Sequence, residues 1–251
     1  MTRSYPADVH RAHSDMTDQS ARLVMAHLMP IFEVGSIVEI GCGNAHWTRA
    51  GLELGASDHL VADGPWTDLS DLLVSADRFV AVDLTRPLAL GRRFDLAICL
   101  EVAEHVPSDH AESLIDGLAG AADVVLFGAA IPYQGGYGHI NEQRPSWWRD
   151  KFVRRGFAPY DLVRPKFWEN ASVHYWYRQN AFVYVSTSNG RATERAAAAE
   201  RELRASPALF DAVLPERFEE VASYRSLSLK RFARRLPSAF ALRLKQRIGL
   251  G

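Results

Sequence analysis

VEIGCGNAHW, residues 38–47, decides the fold. With Ile37 before it, the stretch opens as a short β-branched apolar run, Ile37-Val38-Glu39-Ile40, of the kind that forms a buried strand. Gly41-Cys42-Gly43 ends the run, and residues 45–54 are compatible with a helix that starts at once. A strand running through a glycine turn into a helix is the first half of a βαβ unit. Glycine suits such a turn because a Cβ would hold a ligand away from the backbone. The amides at the start of the following helix point at that ligand.

Further apolar runs lie at residues 59–62, 78–82, 94–100 and 124–127, and residues 109–119 form helical material between the last two. This alternation predicts a parallel sheet with helices on both faces, wound by right-handed crossovers. Two later strand candidates, residues 157–162 and 180–185, complete a seven-stranded, mostly parallel Rossmann-like α/β sheet with an antiparallel edge. Residues 1–29 are expected to form an N-terminal helical segment or lid, and residues 30–190 the ligand-binding domain. Past Gly190, the stretch RATERAAAAERELRAS is strongly helix-forming. Residues 191–251 are therefore expected to be a helical extension. Its end places Leu229, Phe232, Leu236, Phe240, Leu244 and Ile248 on one helical face, with Pro237 as a kink.

The chain has 251 residues, 47% hydrophobic and 24% charged, which suits a globular protein with a substantial core. No apolar run is long enough to span a bilayer, and the start of the chain lacks the apolar core of a secretory signal. A cytoplasmic location is expected. Cys42 and Cys99 close apolar runs and are expected to be packing residues. The formal net charge is −1, but residues 225–251 hold eight basic side chains and no acidic one. The rest of the chain carries the acidic excess, which argues against a nucleic-acid-binding body. The basic tail is expected to pack on its own domain, a second subunit or a partner; contact with an anionic membrane surface is the alternative.

A dinucleotide site calls for a third glycine three residues after Gly43, and His46 stands there. Glu39, two residues before Gly41, can hold the turn through backbone amides and can face a cation. That polarity suits the sulfonium of S-adenosylmethionine better than a pyrophosphate. Asp63, 22 residues past Gly41 in VADGPW, sits where a carboxylate can accept ribose hydroxyls across the crevice. Asp83, in AVDL, can accept an adenine amino group, and the Leu84 amide can meet a ring nitrogen. The alternative for Asp83 is the cap of a turn. FDLAICLEVAEHVP, residues 94–107, brings Glu101, Glu104 and His105 to the switch point of the sheet, where ligands of open α/β sheets bind.

Taken in order, VEIGCGNA, VADGPW, AVDL and FDLAICLEVAEHVP resemble the class I S-adenosylmethionine-dependent methyltransferases. The similarity extends to AAIPYQGGYGHINEQRPSWW (residues 129–148) and WYRQNAFVYV (residues 176–185). It is closest to small bacterial members associated with polysaccharide or natural-product assembly, and spans roughly residues 30–188. The resemblance implies that Glu39, Gly41, Gly43, Asp63 and Asp83 contact S-adenosylmethionine, with Cys42, Gly64, Leu84 and Leu100 beside them. Asn44 replaces the threonine or serine common in the family's turn, which leaves backbone contacts intact.

Methyl transfer needs alignment above all, and an alcohol acceptor also needs a base. His139, after the glycine-rich loop 132–138, and His105 are the candidate bases, with His139 preferred because a flexible approach lets it close over a substrate. Glu101 is a candidate for orienting substrate or water. No spacing near His105 matches a metal-ligand pattern, so no metal is expected. Trp147, Trp148, Arg149, Arg154, Arg155 and Arg164 are compatible with a sugar or anionic substrate. The stronger reading is that Trp147, Trp148 and Phe152, at helical spacing, pack on the sheet with the arginines solvated. An O-methyltransferase acting on a sugar, glycan or natural product is the leading expectation. N-methylation of a metabolite, a nucleotide-dependent oxidoreductase and a non-catalytic scaffold are the rivals.

Overall fold

The structure, a computed structural model, describes residues 7–203 and 210–222. By internal contacts the chain divides into two units, Met1–Ala212 and Val213–Gly251. In the second, the described residues are 213–222, and they include a short helix, Pro215–Ala222. The amphipathic face from Leu229 to Ile248, with its basic side chains, falls outside them.

The first unit is built on one seven-stranded sheet. Its strands are β1 (Ser36–Ile40), β2 (Asp58–Asp63), β3 (Phe79–Ala81), β4 (Leu96–Leu100), β5 (Val124–Gly128), β6 (Phe157–Tyr160) and β7 (Phe182–Ser186), in the order β3-β2-β1-β4-β5-β7-β6. β7 runs antiparallel to β5 and β6; the pairs β1–β2, β1–β4, β2–β3 and β4–β5 are parallel. The expected architecture is thus present, with strand ends displaced by a residue or two. Phe94 sits outside β4 and makes a single parallel bridge to Ala122.

The period of two along each strand sorts the core into two layers. Ile37, Ile98, Leu126 and Val183 pack with Val24, Met25 and Leu28 of α1 (Ala7–Phe32), Ala50 of α2 (His46–Glu53) and Ala196 of α7 (Gly190–Glu202). Val38, Ala97, Val125 and Tyr184 pair across the sheet and face the opposite layer. That layer holds Leu114 and Leu118 of α3 (Ala111–Ala121) and Trp148 and Phe152 of α4 (Pro145–Val153). α5 (Arg164–Phe167) and α6 (Tyr175–Asn180) lead back to β7. The alanine-rich α7 starts at Asn189, whose side chain accepts from the Ala192 amide and caps the helix. Both cysteines are free and buried, and burial pushes both thiols up.

The N-terminal helix α1 runs three residues past the expected segment 1–29 and belongs to the core on one side. On the other it reaches two neighbours. Ser14 Oγ lies 3.0 Å from His46 Nε2 at the start of α2, and Thr17 Oγ1 lies 3.4 Å from the Tyr177 hydroxyl on α6. Asp18 pairs with Arg49, and Arg22 with Glu53, so α1 is clasped to α2. No helix among the described residues is long and apolar enough to cross a membrane.

Candidate active site

The parallel strands deliver their C-terminal ends to one edge, and the chemistry-bearing residues collect there. After β1 the backbone is left-handed at Gly41 (φ 72°), Gly43 (φ 50°) and Ala45 (φ 65°). Such a path is costly for side chains and accounts for the glycines. The space in front of Gly41 is used differently from the sequence expectation. A Cβ there would lie 2.3 Å from Cγ2 of Val102, in the segment after β4. Gly41 thus makes room for Val102 and joins the glycine turn to the neighbouring strand end.

Two carboxylates brace this turn. Glu39, buried on β1, accepts the Thr48 amide at 2.8 Å and the Thr48 hydroxyl at 2.6 Å through Oε2. It thereby caps α2 from the strand. Burial raises its pKa to about 7 against the pull of the Thr48 bonds, and the Asp63 charge adds to the rise. Asp63 ends β2 and accepts from the Gly43 amide (Oδ2, 2.8 Å) and the Gly64 amide (Oδ1, 2.6 Å). Each oxygen has a second lone pair. Trp66 packs over Gly64, where a Cβ would meet its ring at 2.0 Å. Cys42 is buried within the turn.

Asp83 follows β3 on the exposed edge. Its Oδ1 accepts the Thr85 amide and hydroxyl at 3.0 and 2.7 Å, a side-chain-capped turn. It stands beside Asp63 because the Val82 amide donates to the Asp63 carbonyl at 2.8 Å. Leu84 packs against the layer that holds α3, and Leu100 against the other.

At β4 and β5 a second group assembles. Glu101 has a left-handed backbone (φ 56°), and its carboxylate accepts from Gln134 Nε2 at 2.7 Å and Asn180 Nδ2 at 3.2 Å. Burial raises its pKa to about 7 in spite of those bonds. Glu104 is fully buried, and neither of its carboxylate oxygens has a hydrogen-bond partner. His105 and His139, 34 positions apart in sequence, meet edge to face with ring centroids 4.9 Å apart. Burial, then the neighbouring His139, lowers the His105 pKa to about 4.

The loop carrying His139 is held at several points. Glu142 accepts the Tyr133 amide at 2.8 Å and the Gly135 amide at 2.7 Å, and His139 Nδ1 lies 3.0 Å from the same carboxylate. The Ile140 and Asn141 amides both donate to the Glu104 carbonyl. Gly136 is needed because its Cβ would lie 2.2 Å from His139 Nε2. With Nδ1–H given to Glu142, the Nε2 lone pair of His139 faces Glu104 Oε1 at 3.9 Å.

The structure therefore draws Gly41, Cys42, Gly43, Asp63 and Gly64 into one cluster, and Glu101, His105 and His139 into a second beside it, joined at Val102. Sequence reasoning left out Gln134, Asn180 and Glu142; an acid two or three residues past a loop histidine is the one signal that pointed to Glu142. It also left out the grouping of Glu104, His105 and His139, whose potential ligand atoms all lie within 4.8 Å of one another. The aromatic and basic segment serves packing instead of forming an open sugar surface. Trp148 and Phe152 are core, Lys151, Arg154 and Arg155 converge on Glu112, and Arg164 is buried against Asp161. A groove beside α3, lined by residues 88–93 ahead of β4, holds none of the candidate residues.

No family model matches the chain, and no curated protein matches it. Solved structures do. Magnesium protoporphyrin IX methyltransferase from Synechocystis, with bound S-adenosylhomocysteine, is 18% identical over 74% of this chain and 90% of its own, with a TM-score of 0.53. DesVI of Streptomyces venezuelae is 12% identical over 74% of this chain and 100% of its own, with a TM-score of 0.55. The sugar N-methyltransferase KedS8 from Streptoalloteichus is 14% identical over 74% of this chain and 97% of its own, with a TM-score of 0.53. The fold is that of the class I S-adenosylmethionine-dependent methyltransferases.

Proposed function

We propose that this protein is an S-adenosylmethionine-dependent methyltransferase that methylates a hydroxyl of a small molecule, such as a sugar or a natural product. One observation carries the reading. The glycine turn with its two bracing carboxylates and the Glu101–His105–His139 group share one edge of the sheet and touch through Gly41 and Val102. The residues suit the cofactor. Asp63 keeps an open lone pair on each oxygen for the ribose hydroxyls. Asp63 and Glu101 set carboxylates on this edge, Glu39 and Glu104 lie buried behind them, and no lysine or arginine among the described residues pairs with any of the four. Such a crevice favours a sulfonium and disfavours a pyrophosphate.

When bound, S-adenosylmethionine supplies a methyl group on a sulfonium that departs as a neutral thioether. The turn at Gly41–Ala45, its Gly41, Cys42, Gly43 and Ala45 amides spent on Ala62, Asp63 and Cys42, lets the cofactor lie close to the backbone, Asp63 holds its ribose and Asp83 with the Leu84 amide its base. His139, oriented by Glu142, takes the acceptor proton on Nε2, and Glu101, fixed by Gln134 and Asn180, positions the acceptor. A base at His139 favours a hydroxyl, which is a weak nucleophile until its proton is taken as it attacks. Comparison structures include enzymes whose names specify a porphyrin and a sugar, which fits a small-molecule acceptor. Calorimetry with S-adenosylhomocysteine tests the reading. Saturable binding is expected, weakened roughly 10- to 100-fold by Asp63→Ala, the worth of a charge-assisted hydrogen-bond pair. Absence of binding at millimolar ligand would overturn it.

A further inference from the structure

Charge balance fails at Glu104. The side chain has no solvent exposure and no hydrogen-bond partner at either oxygen; only the amides of Glu104 and Ala130 lie near enough to favour its charge. Its nearest basic group is His139 Nε2 at 3.9 Å, and the acid Glu101 stands close by. A buried carboxylate in this state must stay protonated or gain a cation.

The surroundings are those of a ligand set. Glu104, His105 and His139 each offer one donor atom, all within 4.8 Å of one another. Donors around an ion held at about 2.1 Å stand roughly 3–3.5 Å apart, so a contraction of about one ångström closes the set. Turning the two imidazoles toward the carboxylate provides it. His139 is already arranged as metal-bound histidines are. Its Nδ1–H goes to the Glu142 carboxylate, which fixes the tautomer and aims Nε2 inward. His105 Nδ1 faces the Gly138 carbonyl at 3.4 Å, a weaker version of the same support. The three residues come from two segments, the turn after β4 and the loop after β5. The amides of Ile140 and Asn141 lock those segments together by donating to the carbonyl of Glu104 itself.

We propose that Glu104, His105 and His139 form a binding site for a divalent cation of the Mn²⁺ or Zn²⁺ class. Two imidazoles and one carboxylate match that class better than Mg²⁺ or Ca²⁺, which prefer all-oxygen shells. Three protein ligands leave positions open toward the crevice, and an oxygen of the acceptor is the group that fits there. This deepens the methyltransferase reading and rests on it for the identity of the acceptor side. With a cation in place, His139 serves as a ligand in place of its role as base.

The test is titration of Mn²⁺ into the full chain after chelator treatment, with free Mn²⁺ followed by electron paramagnetic resonance. One Mn²⁺ per chain at micromolar affinity is expected, with Zn²⁺ competing. Glu104→Gln, which keeps shape and removes charge, should abolish the site. Glu142→Gln should weaken it roughly 10- to 100-fold by freeing the His139 ring. Far-UV circular dichroism and S-adenosylhomocysteine binding, measured on the same stripped samples, report on the fold and on the cofactor reading. Stripped protein that binds S-adenosylhomocysteine but neither Mn²⁺ nor Zn²⁺ would overturn the cation site and leave the methyltransferase reading standing. So would Mn²⁺ binding of equal strength in folded Glu104→Gln. Mn²⁺ binding lost in Glu104→Gln, in a chain that ignores S-adenosylhomocysteine, would uphold the site and remove the cofactor.

Discussion

At the β1–β2 end of the crevice every carboxylate is met by a donor: Glu39 by Thr48, Asp63 by the Gly43 and Gly64 amides. At the β4–β5 end Glu101 is met by two amide side chains, yet Glu104 next to it is met by none. The first end is a finished cradle that needs only a ligand shaped to its backbone. The second holds unspent proton and electron-pair chemistry. A binding end is stable when its polar groups are satisfied, whereas a reacting end keeps groups in reserve. The largest effect of substitution on turnover is therefore expected at the second end. His139→Ala should slow methyl transfer by about 10²–10⁴-fold, with S-adenosylhomocysteine affinity nearly unchanged. Steady-state kinetics and calorimetry on one preparation measure both. If affinity falls as steeply as turnover, the two ends are not separable and the contrast fails.

The first end breaks through its backbone. Gly41→Ala places a Cβ 2.3 Å from Val102 in a left-handed conformation (φ 72°). The expected loss of folding stability is about 2–4 kcal/mol, the sum of conformational strain and overpacking. Denaturant unfolding measures it. Adding Val102→Ala should restore the packing share and leave the conformational share. Full recovery would show that Gly41 serves only to admit Val102.

This difference also explains what the sequence could and could not show. The cradle is local: its strand, glycines and brace at Glu39 lie within ten consecutive residues, so residue types alone announce the turn. Asp63 is legible because strands that follow one another in a βαβ unit lie side by side. The sheet order follows from the same rule, and the two core layers follow from alternation along the strands. The reacting end is assembled at long range. His105 and His139 meet through a loop whose path depends on Glu142 and on the Glu104 carbonyl, and no periodicity encodes that path. Asn180 reaches Glu101 from the other side of the sheet's antiparallel turn-back, 79 positions away. The segment with Trp148 and Phe152 was legible in part: helical spacing favours packing on the sheet, whereas Arg155 and Arg164, expected in solvent, pair with Glu112 and Asp161. Aromatics and arginines look alike whether they meet a sugar or a core, and here burial against Phe127 and Tyr184 decided for the core.

A smaller effect comes from the charge on Glu39. Its folded-state pKa, about 7, lies above the ordinary 4.5 because burial penalises the anion. A raised carboxyl pKa means the folded chain holds a proton that the unfolded chain has released. Its contribution to stability is complete below pH 4.5 and is lost as the pH rises toward 7. The full change is roughly 3 kcal/mol by proton linkage. Glu39→Gln should flatten this part of the stability profile between pH 5 and 7, as read from unfolding midpoints. An unchanged slope would mean that Thr48 holds the carboxylate charged throughout.

The smallest effect is expected where the cradle meets solvent. Asp63 and Asp83 end adjacent strands and are proposed to hold the sugar and the base of one ligand, but their surroundings differ. Asp63 is half-buried between two glycine amides; Asp83 is exposed, and one of its oxygens is committed to Thr85. An exposed carboxylate competes with water for its partner, so its net contribution is about 0.5–1.5 kcal/mol, or two- to tenfold in affinity. Asp83→Ala should therefore weaken S-adenosylhomocysteine binding by that factor, well short of the loss from Asp63→Ala. Part of even this change belongs to the Thr85 turn. Asp83→Asn, which keeps an acceptor for the Thr85 amide, separates the two: affinity close to wild type assigns the loss to the turn, and affinity as low as in Asp83→Ala assigns it to the charge on the adenine side. Equal losses at Asp63 and Asp83 would show that burial does not grade the two contacts.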